Sequence, residues 1–302
     1  RLLSDPFSQG IPELGSVQAS AEISGSLTSL VIDQIALSTG QALQSKLAVN
    51  GGSVQLSVTP DLSYQQLRLP LSVQMKDTSQ LSQLIETEIA NFGELQATAI
   101  LRQTKSDFSL EKLDLKLKEQ NESVVVINGK IISLETLGDL ELKATVTGLN
   151  TAAILQTMRQ GLGEDFDLGQ LHGNFSLNHN RGIWHLQKLK LENRNSDQLS
   201  FLLAGSAKGN LSGLNIDLQV QSEINDQALL ADLTGLAMKP IRNSLHIKGS
   251  EQRLNIVGNV GLGNTHVDTR LSFQLGQQGL SSLSGSITSQ AIYLEDLGLS
   301  QL

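Results

Sequence analysis

The sequence predicts an all-β protein built from repeating antiparallel units of about four strands, each followed by a short helical linker. Three observations carry this. Apolar and polar residues alternate with period two over many stretches of about ten residues, the mark of a half-buried strand. Those stretches recur at a fixed interval along the 302-residue chain. Aromatic residues are only 3% of the composition, so the apolar surface is mostly Leu, Ile, Val and Ala. Aromatics bury far more area per residue, and their scarcity favours a thin, extended sheet over a thick core.

The repeat rests on three landmarks that keep one register. The openings "GSVQASAEI", "GELQATAIL" and "GQLHGNFSL" start at Gly15, Gly93 and Gly169, which are 78 and then 76 residues apart. A second strand carries Ile32, Ile35 and Leu37, then Leu110, Leu113 and Leu115, then Leu186, Leu189 and Leu191, at the same two spacings. A third ends at Gly51 in "VNG", Gly129 in "ING" and Gly205 in "LAG". The units therefore run 15–92, 93–168 and 169–242, with residues 1–14 as a lead-in. A fourth, 243–302, is shorter and drifts out of register.

Within the second unit the strands read "GELQATAILRQ", "FSLEKLDLKLK", "SVVVINGKIIS" and "GDLELKATVTG", joined by Asn, Gly, Asp and Ser as tight turns require. A helical linker begins at Asn150, with Ile154, Leu155 and Met158 at helical spacing. Equivalent linkers begin at Asp77 and near Asn225, and "YLEDLGL" closes the fourth unit. One face of the strands is apolar throughout. It carries Leu113, Leu115 and Leu117, then Leu140, Leu142, Ala144 and Val146, then Leu171, Phe175 and Leu177, and Leu189 and Leu191. The intervening Asp114, Lys116, Glu141, Lys143, His172 and Asn174 form a wet face. The linkers are too short to cover so many strands, so the dry face either folds on itself or takes a cover from outside the chain.

Composition narrows the function. The net charge is −8, with no basic cluster to bind phosphates, which speaks against nucleic acid and against charge-driven adsorption to an anionic membrane. No cysteine is present, so disulfides and thiolate metal sites are excluded. No apolar run reaches the roughly 18–20 residues of a membrane-spanning helix. The start, "RLLSDPFSQG", does not resemble a signal peptide.

Catalytic and metal-binding patterns are sparse. There is no G-x-S-x-G, H-E-x-x-H, P-loop or G-x-G-x-x-G. "GNVGLGNTH" (258–266) reads as a strand pair with a turn. His172, His179 and His185 lie close in sequence, but His172 falls on a polar face, His179 in the turn "NHNRG", and His185 at a repeat position held elsewhere by Ser109 and Val31, so a metal site is not expected. Glu164, Asp165 and Asp167 read as a solvated loop. Trp184 aligns with Phe108 and Leu30, a structural apolar position. The sequons at Asn121, Asn174 and Asn210 carry little information. No cofactor is expected, and no enzymatic role.

Four-strand units with one aliphatic face, a helical linker, "L-x-G" openings and "NG" or "AG" turns resemble the AsmA-like proteins, the group that includes the TamB and YhdP relatives of Gram-negative envelopes. The resemblance spans about Val17 to Leu302. It implies an elongated, curved, taco-like β-groove whose aliphatic interior shields phospholipid acyl chains between the inner and outer membranes. It also implies a periplasmic setting, an inner-membrane helix that is not among these residues, and membrane or envelope proteins at the groove ends. The alternative is a repetitive β scaffold or spacer with no lipid ligand.

Overall fold

The computed structural model describes residues 16–26, 28–39, 45–57, 63–81, 91–104, 107–119, 122–134, 139–151, 169–194, 196–210, 213–234, 236, 238–250, 252–276 and 279–299. It is an antiparallel sheet of seventeen strands. The chain separates into two compact units, Arg1–Leu142 and Lys143–Leu302, so the division falls inside a strand.

The first unit holds β1 (Val17–Gly25), β2 (Ser29–Thr39), β3 (Ser45–Asn50), β4 (Ser53–Ser57), β5 (Ser63–Met75), β6 (Glu94–Thr104), β7 (Asp107–Glu119), β8 (Glu122–Ile131) and the first residues of β9 (Leu140–Asn150). Successive strands pair in sequence order, with one variation. β3 and β4 share a single place, since both pair with β2 on one side and β5 on the other. The interruption between them is Gly51–Gly52, with φ of 74° and 120°. An L side chain rarely adopts those angles, so the glycine pair lets the strand break without leaving the sheet.

The second unit continues with β10 (Gln170–Asn180), β11 (Ile183–Arg194), β12 (Leu199–Asn210), β13 (Gly213–Ile224), helix α1 (Gln227–Thr234), β14 (Ile241–Ser250), β15 (Arg253–Leu262), β16 (Thr265–Gly276) and β17 (Gly279–Ser289). The β10–β11 hairpin turns through Arg181 and Gly182, whose φ values of 50° and 77° match the right-handed twist of the flanking strands. The Gly-rich stretch 258–266 is the end of β15, a two-residue turn and the start of β16.

The repeat has a backbone signature. β2, β7 and β11 each bulge against the preceding strand, with the register slipping between Ser20 and Glu22, between Thr98 and Ile100, and between Asn174 and Ser176. Each bulge contains one non-glycine residue at positive φ, namely Gln34 (50°), Lys112 (51°) and Lys188 (53°). These positions are 78 and 76 residues apart, as the sequence landmarks are. β14 and β15 pair without a slip, so the fourth repeat lacks this device. A bulge bends its strand and raises the local twist, which sets the first three repeats apart from the last.

The linkers are described to different extents. At Asp77 the described part of the linker is a 3-10 turn, Thr78–Leu81, with the Asp77 carboxylate accepting the Ser79 N–H at 2.8 Å, and residues 82–90 lie outside the described residues. Asn150, the expected start of the second linker, ends β9, and the linker's Ile154, Leu155 and Met158 lie outside the described residues, as does the acidic loop of Glu164, Asp165 and Asp167. The third linker is the eight-residue helix α1, capped by Asp226, one residue after Asn225, through a 2.8 Å bond from the Ala228 N–H. Its Leu230 is 1% exposed. At "YLEDLGL" the chain makes tight turns, not a helix.

Candidate functional site: an aliphatic face

In an antiparallel pair, residues directly opposite one another project to the same face. The registers therefore assign side chains to faces. In the first unit Leu47, Val73, Ala97, Leu115 and Ile127 stand in one row across β3, β5, β6, β7 and β8. Met75, Leu95, Leu117 and Val125 form the next row. Leu113 opposes Gly129, and a Cβ on Gly129 would collide with the Leu142 side chain. Leu142 thus lies over the glycine, beside the Leu113 row. On β9 the alternation is complete, with Leu140 and Ala144 buried, Leu142 and Val146 half-buried, and Glu141, Lys143 and Thr145 exposed.

In the second unit three rows cross β11 to β17. Leu191, Leu203, Val220, Leu245, Gly258, Thr269 and Ile287 form the first. Leu189, Gly205, Leu218, Ile247, Ile256, Leu271 and Gly285 form the second. Leu186, Ala207, Ile216, Gly249, Leu254, Phe273 and Leu283 form the third. On β10, Leu177 opposes Leu186, Gly173 opposes Leu191, Leu171 opposes Asn193, and Phe175 lies opposite the bulge. The predicted residues thus fall into two sets. Leu113, Leu115, Leu117, Leu140 and Leu142 belong to the first unit, and Val146, Leu171, Phe175, Leu177, Leu189 and Leu191 to the second. The rows through β12–β17 extend the aliphatic face well beyond the residues singled out from sequence, and the same period-two spacing marks them.

This face is incompletely covered. Among the described residues only twelve hydrophobic side chains are buried, and most of the rows remain half-exposed. Full burial of a Leu or Val side chain is worth about 1.5–3 kcal/mol, so a half-exposed row leaves much of that gain unrealised. Glycines recur in the rows. At Gly173, Gly205, Gly249 and Gly285 a Cβ would collide with a carbonyl of the neighbouring strand, and φ lies between 144° and 159°. Only glycine allows the backbone to fold that closely against its neighbour.

The opposite face is ionic and wet. Lys130 pairs with Glu141 at 3.2 Å, Arg102 with Glu111 at 3.2 Å, and Arg242 with Glu223 at 2.8 Å. Asp217 receives Lys248 at 2.8 Å and His246 at 2.6 Å. Those contacts, Lys248 foremost and then His246, hold the Asp217 carboxyl below its usual range. Arg194, then Lys190, does the same for Glu192, and hydrogen bonds from Gln96 and then Gln74 do so for Glu94.

The ends of the strands carry polar clamps. Asn193 accepts the Phe201 N–H at 2.6 Å and donates to the Leu199 carbonyl, closing the β11–β12 connection. Thr39, at the same repeat position, accepts the Leu47 N–H at 3.1 Å. A concavity of about 830 Å³ in the second unit is lined by Glu192, Gln221, Glu223, Arg242, Asn259 and His266 among others. Its Arg242 is already paired with Glu223, so it offers no free cation for a phosphate.

The histidines do not converge. His172 opposes Glu192, and His185 opposes Lys208. His179 is not in the turn but within β10, where its ring stacks on Trp184 with centroids 4.3 Å apart. Among the described residues no three His, Cys, Asp or Glu side chains gather as a metal would require. No described helix is long and apolar enough to cross a membrane. No family model, curated protein or solved structure matches the chain.

Proposed function

We propose that the aliphatic face binds phospholipid acyl chains and shields them from water, a non-catalytic carrier role in a bacterial envelope. The observation that carries this reading is the set of mainly aliphatic rows in each unit, punctuated by glycine, half-exposed and backed by an ionic face. An exposed aliphatic surface of that extent is an aggregation hazard unless it has an occupant. Removing one CH₂ from water gains about 0.8 kcal/mol, so a fully shielded sixteen-carbon chain would gain on the order of 12 kcal/mol. A partly open face realises a fraction of that, which holds a chain without trapping it. Leu, Ile and Val offer no hydrogen bond to fix the chain, so it is free to slide along the rows. The periplasmic setting between inner and outer membranes, and membrane or envelope proteins as neighbours, follow from the resemblance to AsmA-like proteins.

The test is native mass spectrometry of the purified protein with extraction of its lipids, paired with a photo-crosslinking residue at Leu142 or at Lys143. These neighbours lie on opposite faces of β9. Phospholipid that co-purifies and crosslinks from position 142 but not from 143 supports the reading. Lipid-free protein with both positions silent overturns it and leaves a structural scaffold.

A further inference from the structure

We propose that one end of the second unit's strands, the end carrying the β10–β11, β12–β13 and β14–β15 hairpins, is a docking surface for an anionic phospholipid bilayer. The strand registers gather cations there that stand far apart in the sequence. Lys208 and Arg253 lie in the outermost row of the ionic face, joined through Asn215 and Ser250. Lys248 lies one row in, opposite Asp217, and Arg270 one row further, opposite Val257. All four are exposed. Strands lie about 4.8 Å apart and same-face residues about 6.6 Å, so β12 to β16 over three rows make a patch of roughly 19 by 13 Å. Asp217 is the one anion in those rows among the described residues, and the next on this face, Glu192 and Asp268, share a row beyond Arg270. No described carboxylate pairs with Lys208, Arg253 or Arg270. A chain of net charge −8 thus holds a local surface of four positive charges against one negative.

The same strand end carries apolar groups suited to an interface. His179, Trp184, Gly209 and Leu214 oppose one another in the last row of the aliphatic face. Trp184 is 37% exposed and Leu214 46%, and the His179 ring stacks on Trp184. Tryptophan favours the membrane–water boundary because its ring is apolar while its N–H needs a polar partner. Cations beside an apolar rim fit a surface that is negative outside and apolar beneath, which is what anionic headgroups over acyl chains present. A soluble polyanion would engage the cations and leave Trp184 and Leu214 without a role. The negative charge elsewhere on the chain does not cancel the attraction, since charges more than about 8 Å apart are largely screened at physiological ionic strength. Docking does not rest on the aliphatic face carrying lipid, because Leu, Ile and Val do not distinguish a neutral phospholipid from an anionic one.

The experiment is flotation of the purified protein with phosphatidylcholine vesicles, with and without phosphatidylglycerol, read alongside the emission of Trp184, the chain's single tryptophan. Binding to the phosphatidylglycerol vesicles, a blue shift of that emission and release by salt are the expected results. A basic residue near an anionic surface strengthens binding about fivefold, so Lys208→Gln with Arg253→Gln should weaken it about thirtyfold. Lys46→Gln with Lys76→Gln, which removes two exposed cations of the first unit, makes the same change in net charge and should leave binding as it was. Both double variants should keep the wild-type melting temperature, because all four side chains are exposed. Equal binding to both kinds of vesicle, the signature of acyl-chain uptake alone, overturns the proposal. So do an unmoved Trp184 emission, an equal loss in the two double variants, and the absence of binding to either vesicle. Retention on heparin without vesicle binding would overturn it too, by assigning the cations to a soluble polyanion.

Discussion

Lys112 occupies a left-handed backbone conformation, φ 51°, in the middle of a strand, and Gln34 and Lys188 do the same one repeat away on either side. Such a conformation costs an L-residue roughly 1–2 kcal/mol, yet all three carry long, exposed polar side chains. The strain is local and the bulge returns it by keeping Leu110 and Leu113 on one face, where they oppose Ile131 and Gly129. Lys112→Gly should therefore raise stability by up to about 1 kcal/mol, and Lys112→Val should lower it by about 1–2 kcal/mol, as read by urea unfolding. An equal effect of both substitutions would remove the strain argument. Asp217 gives a second expectation at this scale. Its folded pKa lies below the usual carboxylate value, so its contribution is present above the ordinary carboxylate range and is lost as pH falls through the depressed folded value. Asp217→Asn should lower the melting temperature slightly at neutral pH, less in high salt, and not at all once the wild-type carboxylate is protonated.

Among the elements, the C-terminal turns show how a short linker can fasten a sheet. Asp296 is 1% exposed, and its carboxylate accepts the N–H groups of Asn264 and Thr265 at 2.8 and 2.9 Å and the Thr265 hydroxyl at 3.0 Å. It thereby pins the final turns onto the β15–β16 connection. Gly263, at φ 57°, passes so close that a Cβ would collide with that carboxylate. Asp296→Ala strands two backbone donors and should cost about 1–3 kcal/mol. Gly263→Ala should destabilise as well, and hydrogen exchange should report opening confined to the β15–β16 turn and residues 291–299. None of this was legible in "YLEDLGL", because the partners of Asp296 lie about thirty residues away. The strands were legible, since period two is a local property. The bulges were half legible. Leu110, Leu113 and Leu115 are spaced three and then two apart, where a plain strand spaces its apolar residues by two, as Leu254, Ile256 and Val260 do in β15 with Gly258 between them. The linker at Asp77 is described only in its first residues, as a 3-10 turn, and the rest of its apolar spacing falls on residues 82–90, outside the described residues.

At the scale of the whole molecule the question is whether the aliphatic rows are a surface awaiting an occupant or merely a poorly filled core. The two differ in what a single charge does. Leu218 stands in the middle row of the second unit, between Gly205 and Ile247, and is half-buried; its neighbour Gln219 is exposed on the ionic face. In a core, Leu218→Lys would leave an unpaired charge in an apolar interior and cost several kcal/mol of stability whether or not lipid is present. On an open face the lysine stem lies along the row and its ammonium reaches water, so the lipid-free protein should lose little. An acyl chain crossing that row would lose contact for about three methylenes, near 2.4 kcal/mol or roughly fifty-fold in affinity. Leu218→Lys should therefore leave the melting temperature of the delipidated protein nearly unchanged while cutting the phospholipid retained in native mass spectra. Gln219→Lys should change neither. Lipid added to the wild type should raise its melting temperature by several degrees, since ligand at a hundred times its Kd contributes about 2.7 kcal/mol. A large loss of stability in delipidated Leu218→Lys, with no response of the wild type to lipid, would assign the rows to a core and end the carrier reading.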